Sequence, residues 1–281
     1  MTRPMKRLAL AAAAVGCLAA APAALASPAD VLPQQSSNWA GYAISDTTTI
    51  QTGTTDATLA APLQFTDVTA TWKVPKVTCS TDTSPTYSAF WVGIGGFSNG
   101  SQALEQTGVD ADCSEKGKPV YYAWYELVPA PATQVRLKVG AGDTVTASVV
   151  IDGTDVLVQV KDRTRGTSFT KHLQMAEPDL SSAEVIAEAP SACSEAGVGC
   201  RVLPLANFGT VGFTNVAAIA DGHPGTLSDQ TWSAAQIRLV PRSSRGIFGA
   251  ADNSTVAGAV PAAVSADGRS FAIGWVANAN R

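Results

Sequence analysis

Three short stretches carry polar side chains where strand patterning would ordinarily place apolar ones. They are Leu104-Glu105-Gln106-Thr107-Gly108, Tyr122-Ala123-Trp124-Tyr125-Glu126 and Ala183-Glu184-Val185-Ile186-Ala187-Glu188. Side chains alternate between the two faces of a strand, so Tyr122, Trp124 and Glu126 share one face, as do Glu184, Ile186 and Glu188. Rings and carboxylates on one sheet face suit a groove for an extended ligand. A carboxylate there can take or return a proton, and an amide such as Gln106 donates hydrogen bonds without titrating. The competing reading is that these are solvent-facing strand residues with no chemistry.

Other chemistries find less support. Gly96-Phe97-Ser98-Asn99-Gly100 matches the G-x-S-x-G pattern of serine hydrolases. That motif needs a strand, a sharp turn and a helix, whereas Ser101 to Asp110 reads as a turn entering another strand. There is no H-E-x-x-H, no pair of Asp-Thr-Gly triplets and no phosphate-binding loop. A zinc site is disfavoured because no C-x-x-C occurs and the two histidines, His172 and His223, are scattered.

The elements that must position these residues read as strands. Alternating runs recur at Val68–Val74, Ala89–Ile94, Tyr121–Val128, Val135–Val139 and Gln236–Val240, and almost no apolar pattern has helical spacing. Thr144–Ile151 and Val156–Val160 flank Asp152-Gly153, a hairpin signal because Asp-Gly supplies positive φ angles. Many short strands between Gly, Pro, Ser and Asp turns argue for an all-β sandwich or barrel. The stretch from Ser243 to Val264 offers no pattern to assign.

A basic start (Arg3, Lys6, Arg7), an apolar run from Leu8 to Ala21 and the small-residue site Ala24-Leu25-Ala26 form the layout of a secretory signal, residues 1–26. Pro22 interrupts an apolar stretch already short of the roughly 20 residues of a membrane span. A cut before Cys17 is the lipoprotein alternative, though Ala14 stands where such sites usually carry Leu. Residues 27–35 then form a short extension and residues 36–281 a single domain. Of 19 Lys and Arg, three leave with the leader; 16 remain against 23 Asp and Glu, a net charge of −7. That is the wrong sign for a nucleic-acid partner. Cys17 leaves too, and the remaining Cys79, Cys113, Cys193 and Cys200 allow three pairings. The short separation of Cys193 and Cys200 favours a local clip, leaving Cys79 with Cys113.

Five motifs together carry a family likeness. Ser37-Asn38-Trp39-Ala40-Gly41-Tyr42, Ala89 to Gly96, Leu104 to Gly108, Tyr121 to Glu126 and Ala183 to Glu188 resemble, in order and spacing, the glutamic peptidases or eqolisins. The resemblance implies a lectin-like sandwich of two large antiparallel sheets with the active site in a concave face. It implies Gln106 and Glu188 as catalytic pair, with Trp39, Trp91, Trp124 and Glu126 lining the cleft and Glu184 as a neighbour. Fungal members carry aspartates where this chain has Gly95 and Tyr122, which puts the acid coupling to Glu188 in question.

The expected activity is that of a secreted endopeptidase on protein or peptide substrates, acting as a monomer without metal, cofactor or membrane. An unperturbed glutamate titrates near about pH 4.3, so the pair should work in acid unless burial raises that value. The alternative is a non-catalytic carbohydrate- or peptide-binding sandwich, since fold alone does not fix function.

Overall fold

The computed structural model describes residues 31–46, 61–81, 84–98, 100–193, 199–241 and 257–277. The expected leader, Cys17 included, lies outside them, as does most of the stretch that follows Ser243. Strand-rich sequence becomes strand throughout, and no helix occurs among the described residues. The first strands are β1 (Val31–Ser36), β2 (Trp39–Ser45), β3 (Phe65–Lys73), β4 (Ala89–Ile94), β5 (Leu104–Cys113) and β6 (Pro119–Val128). Then come β7 (Thr133–Gln134), β8 (Thr144–Asp152), β9 (Asp155–Asp162), β10 (Thr167–Gln174), β11 (Ser182–Glu188) and β12 (Ser191–Ala192). The last are β13 (Arg201–Val202), β14 (Thr210–Ala220), β15 (His223–Gly225), β16 (Ser233–Leu239), β17 (Gly258–Pro261) and β18 (Phe271–Val276).

The strands form a sandwich of two large, mainly antiparallel layers. One runs β10-β9-β8-β3-β14-β18-β17 and the other β16-β2-β11-β4-β5-β6-β7, with the β17–β16 pairing joining them at one edge. β3, β8 and β9 pack across the interior against β11, β4 and β5. Alternation dictates what lies between: Phe90, Val92 and Ile94 of β4, Val109 of β5 and Val185 of β11 share one core with Val145, Ala147, Val149 and Val158 of the other layer, all buried. Truncating such a residue, Phe90→Ala for instance, costs about 3–5 kcal/mol. A second, smaller apolar cluster lies on the opposite face of the β16–β6 layer: Ala43, Ala89, Trp91, Trp124, Ile186 and Ile237.

Several expectations need adjustment. Val31–Ser36, expected as an extension up to residue 35, pairs in parallel with β16 and belongs to the sheet. Val135, Leu137 and Val139 alternate and are buried but form no ladder beyond β7, because their periodicity reports packing rather than pairing. In the β8–β9 hairpin Asp152 pairs with Asp155, so the turn residues are Gly153 and Thr154, with φ positive only at Gly153. Both disulfides, Cys79–Cys113 and Cys193–Cys200, are formed as expected. The first ties the end of β5 to the segment after β3.

Candidate active site

Strand registers place the candidate residues in rows across β11, β4, β5 and β6. Glu184, Gly93, Gln106 and Glu126 form one row; Ile186, Trp91, Gly108 and Trp124 the next; Glu188, Ala89, Asp110 and Tyr122 the third. All three rows point to the face away from the sandwich interior. Gln106 and Glu188 therefore share a face, with the middle row between them. Two glycines keep this face clear. A Cβ on Gly108 would meet the Phe90 carbonyl oxygen at 2.2 Å, and one on Gly93 would meet the Leu104 side chain at 2.9 Å and Gln106 Cβ at 3.1 Å.

Glu188, Glu126 and Asp110 are held by donors rather than by cations. Glu188 accepts from Asn38 Nδ2 at 2.8 Å and from Trp91 Nε1 at 2.8 Å, one donor to each oxygen. Asn38 is itself fixed by Ser36, whose hydroxyl donates to Asn38 Oδ1 at 3.1 Å. Gln106 Nε2 donates to Glu126 at 2.6 Å, and Glu126 lies near enough to Glu188 to act on it electrostatically. Trp124 Nε1 donates to Asp110 at 2.5 Å. Among the described residues, the ion pairs of lysine, arginine and histidine lie elsewhere.

Burial dominates the electrostatics. Loss of solvation, opposed by the Trp91 and Asn38 hydrogen bonds and reinforced by Glu126, pushes the Glu188 pKa up to about 7. Desolvation likewise raises Glu126, against the lowering effect of Gln106. Asp110 rises well above the carboxylate range through burial and the nearby charge of Asp112, which is itself pushed up to about 6.

The cleft residues divide in their placement. Trp39 and Glu126 are partly exposed and Trp124 is 6% exposed. Trp91 is fully buried: its ring meets that of Trp39 edge-on at 5.0 Å and only its N–H addresses Glu188. It therefore supports the surface rather than lining it. A hollow of about 340 Å³ opens beside Asn38 and Trp39, bounded also by Phe97 and Ile237. Ser98 Oγ is hydrogen-bonded to Ser181 Oγ, and the loop continues into β5 rather than a helix, so the serine-hydrolase pattern has neither its base nor its elbow.

Sequence reasoning missed three residues of this candidate site. Asn38 lies inside the Ser37–Tyr42 motif, and Asp110 and Asp112 continue the face of Gln106 along β5, so alternation from Gln106 could have found both aspartates. Acids also stand near the two positions, Gly95 and Tyr122, where the chain departs from the fungal pattern. A Cβ on Gly95, whose φ is +85°, would meet the Asp179 carbonyl oxygen at 2.5 Å, and Asp179 accepts from Gly96 N–H and the Ser101 hydroxyl. An acid thus reaches this corner from the segment before β11. Tyr122, in turn, binds Asp110 and Asp112. Among the described residues no three His, Cys, Asp or Glu side chains converge as a metal-holding group.

Comparison with known proteins identifies the family. Residues 37–241 match the peptidase A4 family. Aspergillopepsin-2 of Aspergillus niger is 30% identical over 220 residues, covering 70% of each chain. Scytalido-glutamic peptidase, solved with a peptide-based transition-state analogue, aligns with TM-score 0.63 and 24% identity over 85% of this chain and 98% of its own. SCP-B, an eqolisin solved with the tripeptide Ala-Ile-His, aligns with TM-score 0.58 and 23% identity over the same shares. The chain belongs to the peptidase A4 family and is a glutamic-type endopeptidase.

Proposed function

We propose that this enzyme is secreted and cleaves peptide bonds with Glu188 as the base that activates water and Gln106 as the donor to the oxyanion. The observation that carries the reading is Glu126, which is bonded to Gln106 and acts electrostatically on Glu188, so one carboxylate links the two on a single face. Water adds to the carbonyl carbon as Glu188 takes its proton. The carbonyl oxygen becomes anionic and accepts the second Nε2 hydrogen of Gln106. Glu188 then returns the proton to the nitrogen as the C–N bond breaks. The leader pattern and two disulfides support export.

The base must be ionised to act. Because the Glu188 pKa is raised to about 7, activity rises with pH through that ionisation, and the working range lies above that of an ordinary glutamate. The strictly acid range expected of an unperturbed side chain shifts upward accordingly.

A second reading rests on the row that Glu184 shares with Gln106, across Gly93. Glu184 is wholly buried and neither oxygen makes a hydrogen bond of ordinary geometry, whereas Glu188 is partly exposed with a donor on each oxygen. Accessibility favours Glu188. The test is hydrolysis of denatured casein across acid to neutral pH by wild type, Glu188→Gln and Gln106→Ala. Loss of about 10²–10³ in turnover is expected for Gln106→Ala and a greater loss for Glu188→Gln. Wild-type rates from a folded Glu188→Gln protein would overturn the assignment.

A further inference from the structure

A phenol has one hydrogen, and Tyr122 faces two carboxylates. Its Oη lies 2.7 Å from Asp110 Oδ2 and 3.2 Å from Asp112 Oδ2. The hydroxyl can donate to only one of them. The shorter contact is to Asp110, which also accepts Trp124 Nε1 on its other oxygen. Asp112 Oδ1 accepts the Ser88 N–H at 3.1 Å. One phenolic hydrogen cannot fill both contacts, so the other lacks a hydrogen unless one of the two carboxyls supplies it. Both aspartates are more than nine-tenths buried, so two facing oxygens without a proton between them would be costly there.

We infer that Asp110, Tyr122 and Asp112 share a single carboxylic proton in a one-way hydrogen-bond chain, and that this chain holds Trp124 at the cleft wall and must keep that proton for the enzyme to work. Asp112 and Tyr122 act as positioning residues. The inference rests on the proposed site, since Asp110 lies in the Glu188 row and the two interact electrostatically. It also gives a reason for Tyr122 where the family resemblance leads one to expect an acid: the acid stands on the facing strand and the phenol reaches it.

The charged surroundings agree with a held proton. On β5 the neighbour is Asp110; on β11 it is Glu188; on β6 Tyr122 keeps its own proton, its pKa pushed far up by burial and both carboxylates. Glu115 and Lys116, in the turn between β5 and β6, line a cavity of about 370 Å³ that Asp112 also borders. Burial raises both carboxyls, Asp112 to about 6 and Asp110 well above the ordinary range, so the pair holds its proton in acid and gives it up at higher pH. Activity should thus need Glu188 ionised and the Asp110–Asp112 pair still holding its proton, giving a bell whose limbs are macroscopic titrations of coupled groups.

Asp112→Asn tests the inference, because its amide donates to Tyr122 and accepts from Ser88 at every pH. The falling limb of the activity profile should disappear, leaving activity that climbs through the Glu188 ionisation to a plateau. Infrared difference spectra between wild type and Asp112→Asn in acid should show one un-ionised carboxylic acid carbonyl lost in the variant, a readout independent of catalysis and of the role given to Glu188. Tyr122→Phe provides the second test: with no phenol to accept its proton, the acid carbonyl band should shift to the position of a free acid. A falling limb retained in folded Asp112→Asn, an acid spectrum lacking that band, or an unshifted band in Tyr122→Phe would each overturn the inference.

Discussion

Two groups of acids raised by loss of solvation lie on the same sheet and differ in their partners. Glu188, Glu126, Asp110 and Asp112 on the outer face are each hydrogen-bonded to named donors: Asn38 and Trp91, Gln106, Trp124 and Tyr122, and Ser88. Glu105 and Glu184 are wholly buried, and none of their carboxylate oxygens makes such a bond. Burial raises the pKa of both groups, Glu105 to about 8 with Asp179 adding to it and Glu184 well above the ordinary range. Donors are what allow the first group to carry charge when it must. The second group can only be neutral at modest cost, so it bears on stability rather than on chemistry.

That contrast has its largest consequence in stability against pH. Below the unfolded value of about 4.3, Glu105 is protonated folded and unfolded alike, and its burial carries no ionisation penalty. As pH rises towards about 8 the unfolded chain gives up the proton and the folded chain keeps it. Stability should fall by about 1.4 kcal/mol per pH unit for this group alone. Urea unfolding at a series of pH values should show a slope to which Glu105 contributes that amount, with Glu105→Gln reducing it by as much and leaving the acid-side midpoint nearly unchanged. An equal slope in the variant would place the pH dependence elsewhere.

A smaller effect sharpens the other half of the comparison. Glu126 raises the pKa of Glu188, so Glu126→Gln should move the rising limb of the activity profile to lower pH. Removing one nearby charge at this depth is worth a fraction of a pH unit to about one unit. The same substitution should reduce the urea profile's slope by less than Glu105→Gln does, because the Gln106 donor opposes the upward shift of Glu126.

Much of this was readable from residue order. Ala89–Ile94 is a strand with the bounds its alternation suggested, and Tyr122, Trp124 and Glu126 do share a face with Gln106 through the β5–β6 register. The pattern of β8 and β9 likewise gave a hairpin, displaced by one residue at the turn because a single positive φ at Gly153 suffices. What was hidden depends on long-range register. Gly258–Pro261 carries no alternation, yet it joins the two layers by pairing with β16 and β18. Asp179 fills the corner left by Gly95 from a segment more than eighty residues away, and no local pattern announces such a contact. The row that sets Glu184 beside Gln106 follows only from the order β11-β4-β5.

The most direct measurement is the turnover of one defined peptide by folded Glu188→Gln and folded Glu184→Gln, each paired with its thermal unfolding midpoint at neutral pH. The account predicts that Glu188→Gln loses cleavage while staying folded, and that Glu184→Gln keeps cleavage and unfolds at a higher temperature. Cleavage lost in Glu184→Gln and retained in Glu188→Gln would contradict it.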